Sequence, residues 1–284
     1  MDIQWPLVIF TVLTGLGGWL FFFVGLNVLL GKTDKGAFAG TVAALVLAIV
    51  GGCASVTHLS HPDRMLGALQ HPTSGIFTEA VLVGLLCITL VAFLVMLRRS
   101  IAGTPLKAVA IVGMALGVLM SFMAGQSYLM DAIAAWNTEL LPLGYLGTAA
   151  AAGAAAYLVL IAAQKADESA VSFFGLMTLV AGAVSLVTTV AYGAMAGAFA
   201  GSTALAYAGG AVLCGGVVPL VFGALAWKRP GNALVAGLVA LAGALVGSCA
   251  FRCAMWLLGA GLYDFFGLIK VRADRRAPKR AGRH

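Results

Sequence analysis

The chain has 284 residues, 62% of them hydrophobic and only 10% charged, against roughly 25% charged in an ordinary soluble domain. That composition, with a mean hydropathy of +1.03, excludes a water-soluble globular fold. The net charge of +7 does not signal nucleic acid, because seven of the 17 Lys and Arg lie together after the last apolar run, at Lys270, Arg272, Arg275, Arg276, Lys279, Arg280 and Arg283; a basic segment beside a membrane helix suits lipid headgroups or a partner subunit.

Hydrocarbon offers backbone amides no hydrogen-bond partner, so apolar runs of about 20 residues cross it as helices. Such runs occupy about 6–30, 37–57, 76–97, 105–130, 140–163, 171–200, 204–227 and 231–258. They predict an all-α polytopic membrane protein, a bundle of eight transmembrane helices forming one domain over 1–269, followed by a basic C-terminal tail over 270–284. The opening Met1–Pro6 has no basic region and reads as the lead-in to a retained first helix rather than a signal peptide. The breaks between runs are short and hold no soluble domain, so any chemistry at a distance falls to partners. Lys32, Lys35, Arg98, Arg99, Lys107, Lys165, Lys228 and Arg229 all follow odd-numbered helices, whereas Arg64 alone lies after helices two, four and six. The positive-inside rule then puts the connections after odd-numbered helices in the cytoplasm and both termini on the outer side. The basic tail conflicts with that assignment. Shielding by a partner is preferred over re-entry after Arg252, because Asp264 makes the final apolar stretch a poor span.

Small residues four apart, at Gly113/Gly117, Gly193/Gly197/Gly201 and Gly243/Gly247, predict close helix packing. The alanine-rich run 140–163 predicts a tightly packed helix. Cys53, Cys87, Cys214, Cys249 and Cys253 all fall inside apolar runs without a paired spacing, and read as small buried hydrophobes.

Polar chemistry concentrates in one connection. His58, His61 and His71 lie there, with Asp63 and Arg64, and the segment returns to the membrane at Glu79. A membrane haem usually takes two histidines from facing helix interiors, which this pattern does not offer. His58, His61 and Asp63 match no zinc spacing. The pattern suits proton-coupled chemistry: a quinol must lose two protons as its electrons leave, and a histidine and a poorly solvated carboxylate are suitable acceptors. Helix capping and pairing of His58 and Glu79 with Arg64 would explain the residues equally well. Other polar residues in the apolar runs are Asn27, Gln126, Ser127, Tyr128, Asp131 and Arg252. Asp131 and Tyr128 emerge on the same side as the histidines and are expected to line the same pocket, whereas Arg252 is either functional or snorkels to the interface. A transporter would carry ionisable residues near the bilayer midplane and paired broken helices; the acidic groups here lie near helix ends.

The opening Trp5–Thr11, the stretch His58-Leu59-Ser60-His61-Pro62-Asp63-Arg64 followed by Thr78-Glu79, and Tyr128 with Ala135-Trp136-Asn137-Thr138 and Leu141-Pro142-Leu143 resemble the membrane anchor subunit of dimethyl sulfoxide reductase. The resemblance implies an eight-helix anchor with no haem or iron–sulfur cluster of its own. It further implies partners: an iron–sulfur electron-transfer subunit and a molybdopterin catalytic subunit that holds the terminal catalytic site. By the same resemblance, menaquinol is the substrate in anaerobic respiration, His58 and Glu79 take its protons, and Arg64 and Tyr128 join them in binding it. No resident metal is expected.

Overall fold

The computed structural model describes residues 2–57 and 74–276, with residues 260–276 described as backbone only. Among the described residues, eight helices are long and apolar enough to cross a membrane. They are α1 (Trp5–Leu30), α2 (Ala37–Val56), α3 (Gly75–Arg98), α4 (Thr104–Gln126), α5 (Leu140–Ala163) and α6 (Glu168–Ala196). The seventh span, α7 (Gly201–Lys228), changes pitch: a 3₁₀ turn and one α turn lead into a π-helical stretch, Tyr207–Val217, and then an α-helix, Val218–Lys228. The eighth, α8, runs from Ala233 to Arg276. The bundle of eight spans expected from hydropathy is therefore what forms, and most helix ends agree with the apolar runs to within a residue or two.

The exceptions have local causes. Helix α4 stops at Gln126 rather than near 130, because residues 127–139 fold back as turns over the bundle. Helix α6 stops at Gly197, whose left-handed φ of 72° closes the helix with a hydrogen bond to the Gly193 carbonyl. Gly197 and Gly201 (φ 67°) are thus turn residues, not the packing surface that their spacing suggested; a Cβ on either would meet no described residue within 4 Å. Helix α8 does not break where its apolar run ends. Residues 260–276 continue it as helix for about 25 Å at 1.5 Å per residue.

The helices pair as two closed rings of four. In the first, α1 packs on α2 and α4, and α3 completes the ring; in the second, α5 packs on α6 and α8, and α7 completes it. Contacts of α1 and α4 with α5 join the two halves. This makes α5 the central helix, as its alanine content predicts, and residues from Gly147 to Leu158 are buried without a break. Glycines let backbones touch at the crossings: Gly117 lies against the Gly18 backbone, and Gly247 against Gly215. By contrast α2 and α3 bury little inside the protein, and side chains such as Ile88 and Val46 face outward, as lipid contact requires. The cysteines occupy this half-buried periphery: four are partly buried and Cys53 is exposed, so none is the fully buried hydrophobe expected.

An even number of spans puts the start of α1, the connections after α2, α4 and α6, and the far end of α8 on one face, called here the N-terminal face. A cluster of buried aromatic and aliphatic side chains lies beneath it, including Val8, Phe10, Trp136, Tyr145, Tyr192, Tyr207, Phe251 and Trp256. It draws on both rings and supports the site.

Candidate functional site

Helix α3 begins at the N-terminal face under a side-chain cap. The Ser74 hydroxyl accepts a hydrogen bond from the Phe77 amide at 3.1 Å, and the Thr78 hydroxyl donates to the Ser74 carbonyl at 3.3 Å. Capping residues of this kind satisfy the orphan amides of a first turn. The cap fixes the next residue, Glu79, half-buried at the mouth of the bundle. The end of α4 meets it there. A Cβ on Gly75 would lie 2.8 Å from the Ser127 oxygen, so only glycine permits this approach, which sets the Ser127 side chain beside Glu79.

Ser127 has one proton to give. Its hydroxyl donates it to the Met123 carbonyl at 2.9 Å.

Tyr128 follows directly. Its ring packs edge-on to Trp136 (5.8 Å between centroids) and Trp256 (5.7 Å), and tilted against Tyr145 (5.9 Å). Burial, and then the neighbouring Tyr145 and Glu79, push its phenol well above the ordinary tyrosine range, with Arg252 opposing them. Tyr128 thus remains a hydrogen-bond donor and is no base. Just before this pair, the buried Gln126 Oε1 has no hydrogen-bond partner among the described residues, an acceptor suited to a bound donor group.

The connection 127–139 is held down firmly. Trp136 donates to the Met255 carbonyl at 2.9 Å and stacks edge-to-face on Trp256 at 5.1 Å. The Tyr192 hydroxyl donates to the Ala135 carbonyl at 3.1 Å. This anchoring keeps Tyr128 over the bundle, but it leaves Asp131 exposed. Asp131 does not share the pocket expected of it. Asn27 is also structural: it exchanges hydrogen bonds with the Thr33 backbone on the opposite face.

Arg252 does not snorkel. It is 1% exposed and donates to the Thr11 hydroxyl (2.8 Å) and carbonyl (3.3 Å), the Thr148 hydroxyl (3.3 Å), and the Ser248 hydroxyl (2.6 Å) and carbonyl (3.0 Å). Its guanidinium stands 4.3 Å from the Tyr145 ring centroid. Tyr145, Thr11, Thr148 and Ser248 carried no signal in the sequence, because threonines, serines and tyrosines are common in transmembrane helices and nothing in their spacing marks them. The clue to Arg252 was its position inside an apolar run.

Of the expected site residues, Glu79 and Tyr128 come together at one end of the bundle. His58 and Arg64, with His61 and His71, lie outside the described residues. Their connection leaves α2 after Thr57 and rejoins α3 at Ser74, next to Glu79.

With this geometry in view, comparison with known proteins identifies the group. The model of the family described as DMSO reductase anchor subunit (DmsC) matches residues 1–207. The protein belongs to this family of anchor subunits. It is also 30% identical over 193 residues to the C subunit of the anaerobic dimethyl sulfoxide reductase of Haemophilus influenzae, an alignment that covers 66% of this sequence and 68% of that protein. The anchor-family match takes in Glu79, Ser127, Tyr128 and Tyr145, and stops short of Arg252.

Proposed function

We propose that this anchor subunit binds and oxidises menaquinol at the N-terminal face. Electrons would pass to an iron–sulfur partner subunit and on to a molybdopterin catalytic subunit, in the cytoplasmic membrane of a prokaryote with that face outward. The observation that carries the reading is Glu79: a carboxyl group set in a poorly solvated mouth between α3 and α4, with the Ser127 hydroxyl beside it. A quinol hydroxyl is a donor that must lose its proton, and a carboxylate within hydrogen-bond reach is a suitable acceptor. The Tyr128 phenol is a donor suited to a quinone carbonyl oxygen. Headgroup and isoprenoid tail enter from lipid across the little-buried α2 and α3. His58 would take the second proton and Arg64 would orient the headgroup; both belong to the connection between α2 and α3.

The test is Glu79→Gln in the assembled complex. The amide keeps size and hydrogen bonding but accepts no proton, so quinol-driven turnover should fall by at least about 100-fold, the lower end of what a positioned base contributes. Turnover with an artificial one-electron donor that bypasses the membrane should be unchanged. Undiminished quinol oxidation would remove the proposal.

A further inference from the structure

Arg252 carries a full positive charge in the interior of a membrane bundle, and among the described residues none of its hydrogen-bond acceptors is acidic. They are hydroxyl or backbone oxygens on α1, α5 and α8. As mere packing between three helices this is a poor choice, because an apolar side chain of similar volume would fill the space without desolvating a charge. An ionisable group at such a place points to function. The charge also lies beside the site. The guanidinium is 4.3 Å from the Tyr145 centroid, and that ring is 5.9 Å from Tyr128, so Arg252 is within about 10 Å of Tyr128. Donor capacity remains as well: Nη2 carries two hydrogens and meets one acceptor among the described residues, the Thr11 carbonyl.

We propose that Arg252 is a positioning residue that supplies the fixed positive charge against which the site holds an anion, the monoanion of a hydroquinone headgroup, acting through the Tyr145–Tyr128 pair. The assignment rests on the quinol reading above and extends it. In the step concerned, one O–H bond of the hydroquinone breaks and its proton passes to a carboxylate oxygen of Glu79, leaving an aryloxide. The two electrons and the second proton leave afterwards, the electrons to the one-electron acceptor of the partner subunit. Transfer of the proton moves the negative charge from Glu79 to the headgroup, so a positive charge nearer the headgroup than Glu79, and unable itself to take up the proton, favours the product. A guanidinium meets that requirement, because it stays protonated throughout.

The experiment uses the assembled complex and two probes of one ring system: 2-hydroxy-1,4-naphthoquinone, which is anionic near neutral pH, and 2-methyl-1,4-naphthoquinone, which is neutral. Binding is read from quenching of tryptophan fluorescence, since Trp136 and Trp256 flank Tyr128. One unit charge at about 10 Å, with an effective dielectric constant of about 20, amounts to roughly a tenfold change in affinity. Arg252→Gln should weaken the anionic probe about tenfold and leave the neutral one within about threefold, and Arg252→Lys should keep the preference for the anion. Equal weakening of both probes by Arg252→Gln would overturn the assignment and leave Arg252 a packing residue. Should Arg252→Gln fail to assemble, Arg252→Lys decides alone: a retained anion preference supports the assignment and a lost one overturns it. If neither probe binds the unaltered complex, the quinol reading itself fails.

Discussion

The crossing of α1 and α4 offers a perturbation whose size follows from the structure. A Cβ added by Gly18→Ala would lie 2.8 Å from the Gly117 Cα and 3.0 Å from its carbonyl oxygen. These are backbone atoms, so no rotamer change relieves the clash. The helix axes must move apart by about 1 Å to restore the usual carbon–carbon separation. The move also stretches the 2.9 Å hydrogen bond from the Trp19 indole to Ser121, which spans the same two helices. Overpacking of this kind costs about 1–3 kcal/mol, against up to about 1 kcal/mol gained from replacing a helical glycine. Gly84→Ala is the matched control: it sits in α3 with no described residue within 4 Å of its new methyl, and keeps only the gain. At about 2–4 °C per kcal/mol, thermal unfolding of the two purified variants in the same detergent should separate by roughly 2–12 °C, with Gly18→Ala the less stable. Equal midpoints, or a more stable Gly18→Ala, would refute the claim that direct backbone contact joins α1 to α4.

Gly75→Ala should lower quinol turnover several-fold more than it lowers stability, measured as kcat beside the unfolding midpoint, because its methyl displaces Ser127 from Glu79. Ser127→Ala removes the hydroxyl beside Glu79, and at about 1.5–3 kcal/mol for a hydrogen bond to a charged group should reduce kcat/KM by roughly 10- to 100-fold without loss of assembly. The Tyr128 phenol is held above its unfolded value, so its contribution to stability is present below the ordinary tyrosine pKa of about 10 and is lost as pH rises beyond it. Tyr128→Phe should therefore make the alkaline decline of the unfolding midpoint shallower, as followed by fluorescence in a pH series.

The fold was largely legible, because a span of hydrocarbon dictates helix length and Lys or Arg mark its ends. What the hydropathy could not show was the geometry that turns spans into a site. Gly197 has the same spacing to Gly193 as Gly117 has to Gly113, yet its left-handed φ makes it a terminator; spacing alone does not encode dihedral angles. Glu79 and Tyr128 could be singled out because a carboxylate or phenol at a helix mouth stands out against an apolar background. Tyr145, Thr11, Thr148 and Ser248 could not, since their importance comes from surrounding one buried guanidinium, which for Thr11 and Thr148 arrives from more than 100 residues away. Asp131 shows the opposite error: a chemically suitable residue in the right connection, turned outward because Trp136 and Tyr192 pin the segment in another orientation.

Photolabelling of the assembled complex with an azido-naphthoquinone, followed by peptide mapping, addresses the site most directly. Adducts should fall within residues 57–79 and 126–136 and be suppressed by excess menaquinol. Labelling confined to the opposite face, around the 210 Å³ hollow lined by Ala166, Glu168 and Pro230, would contradict a quinol site beside Glu79.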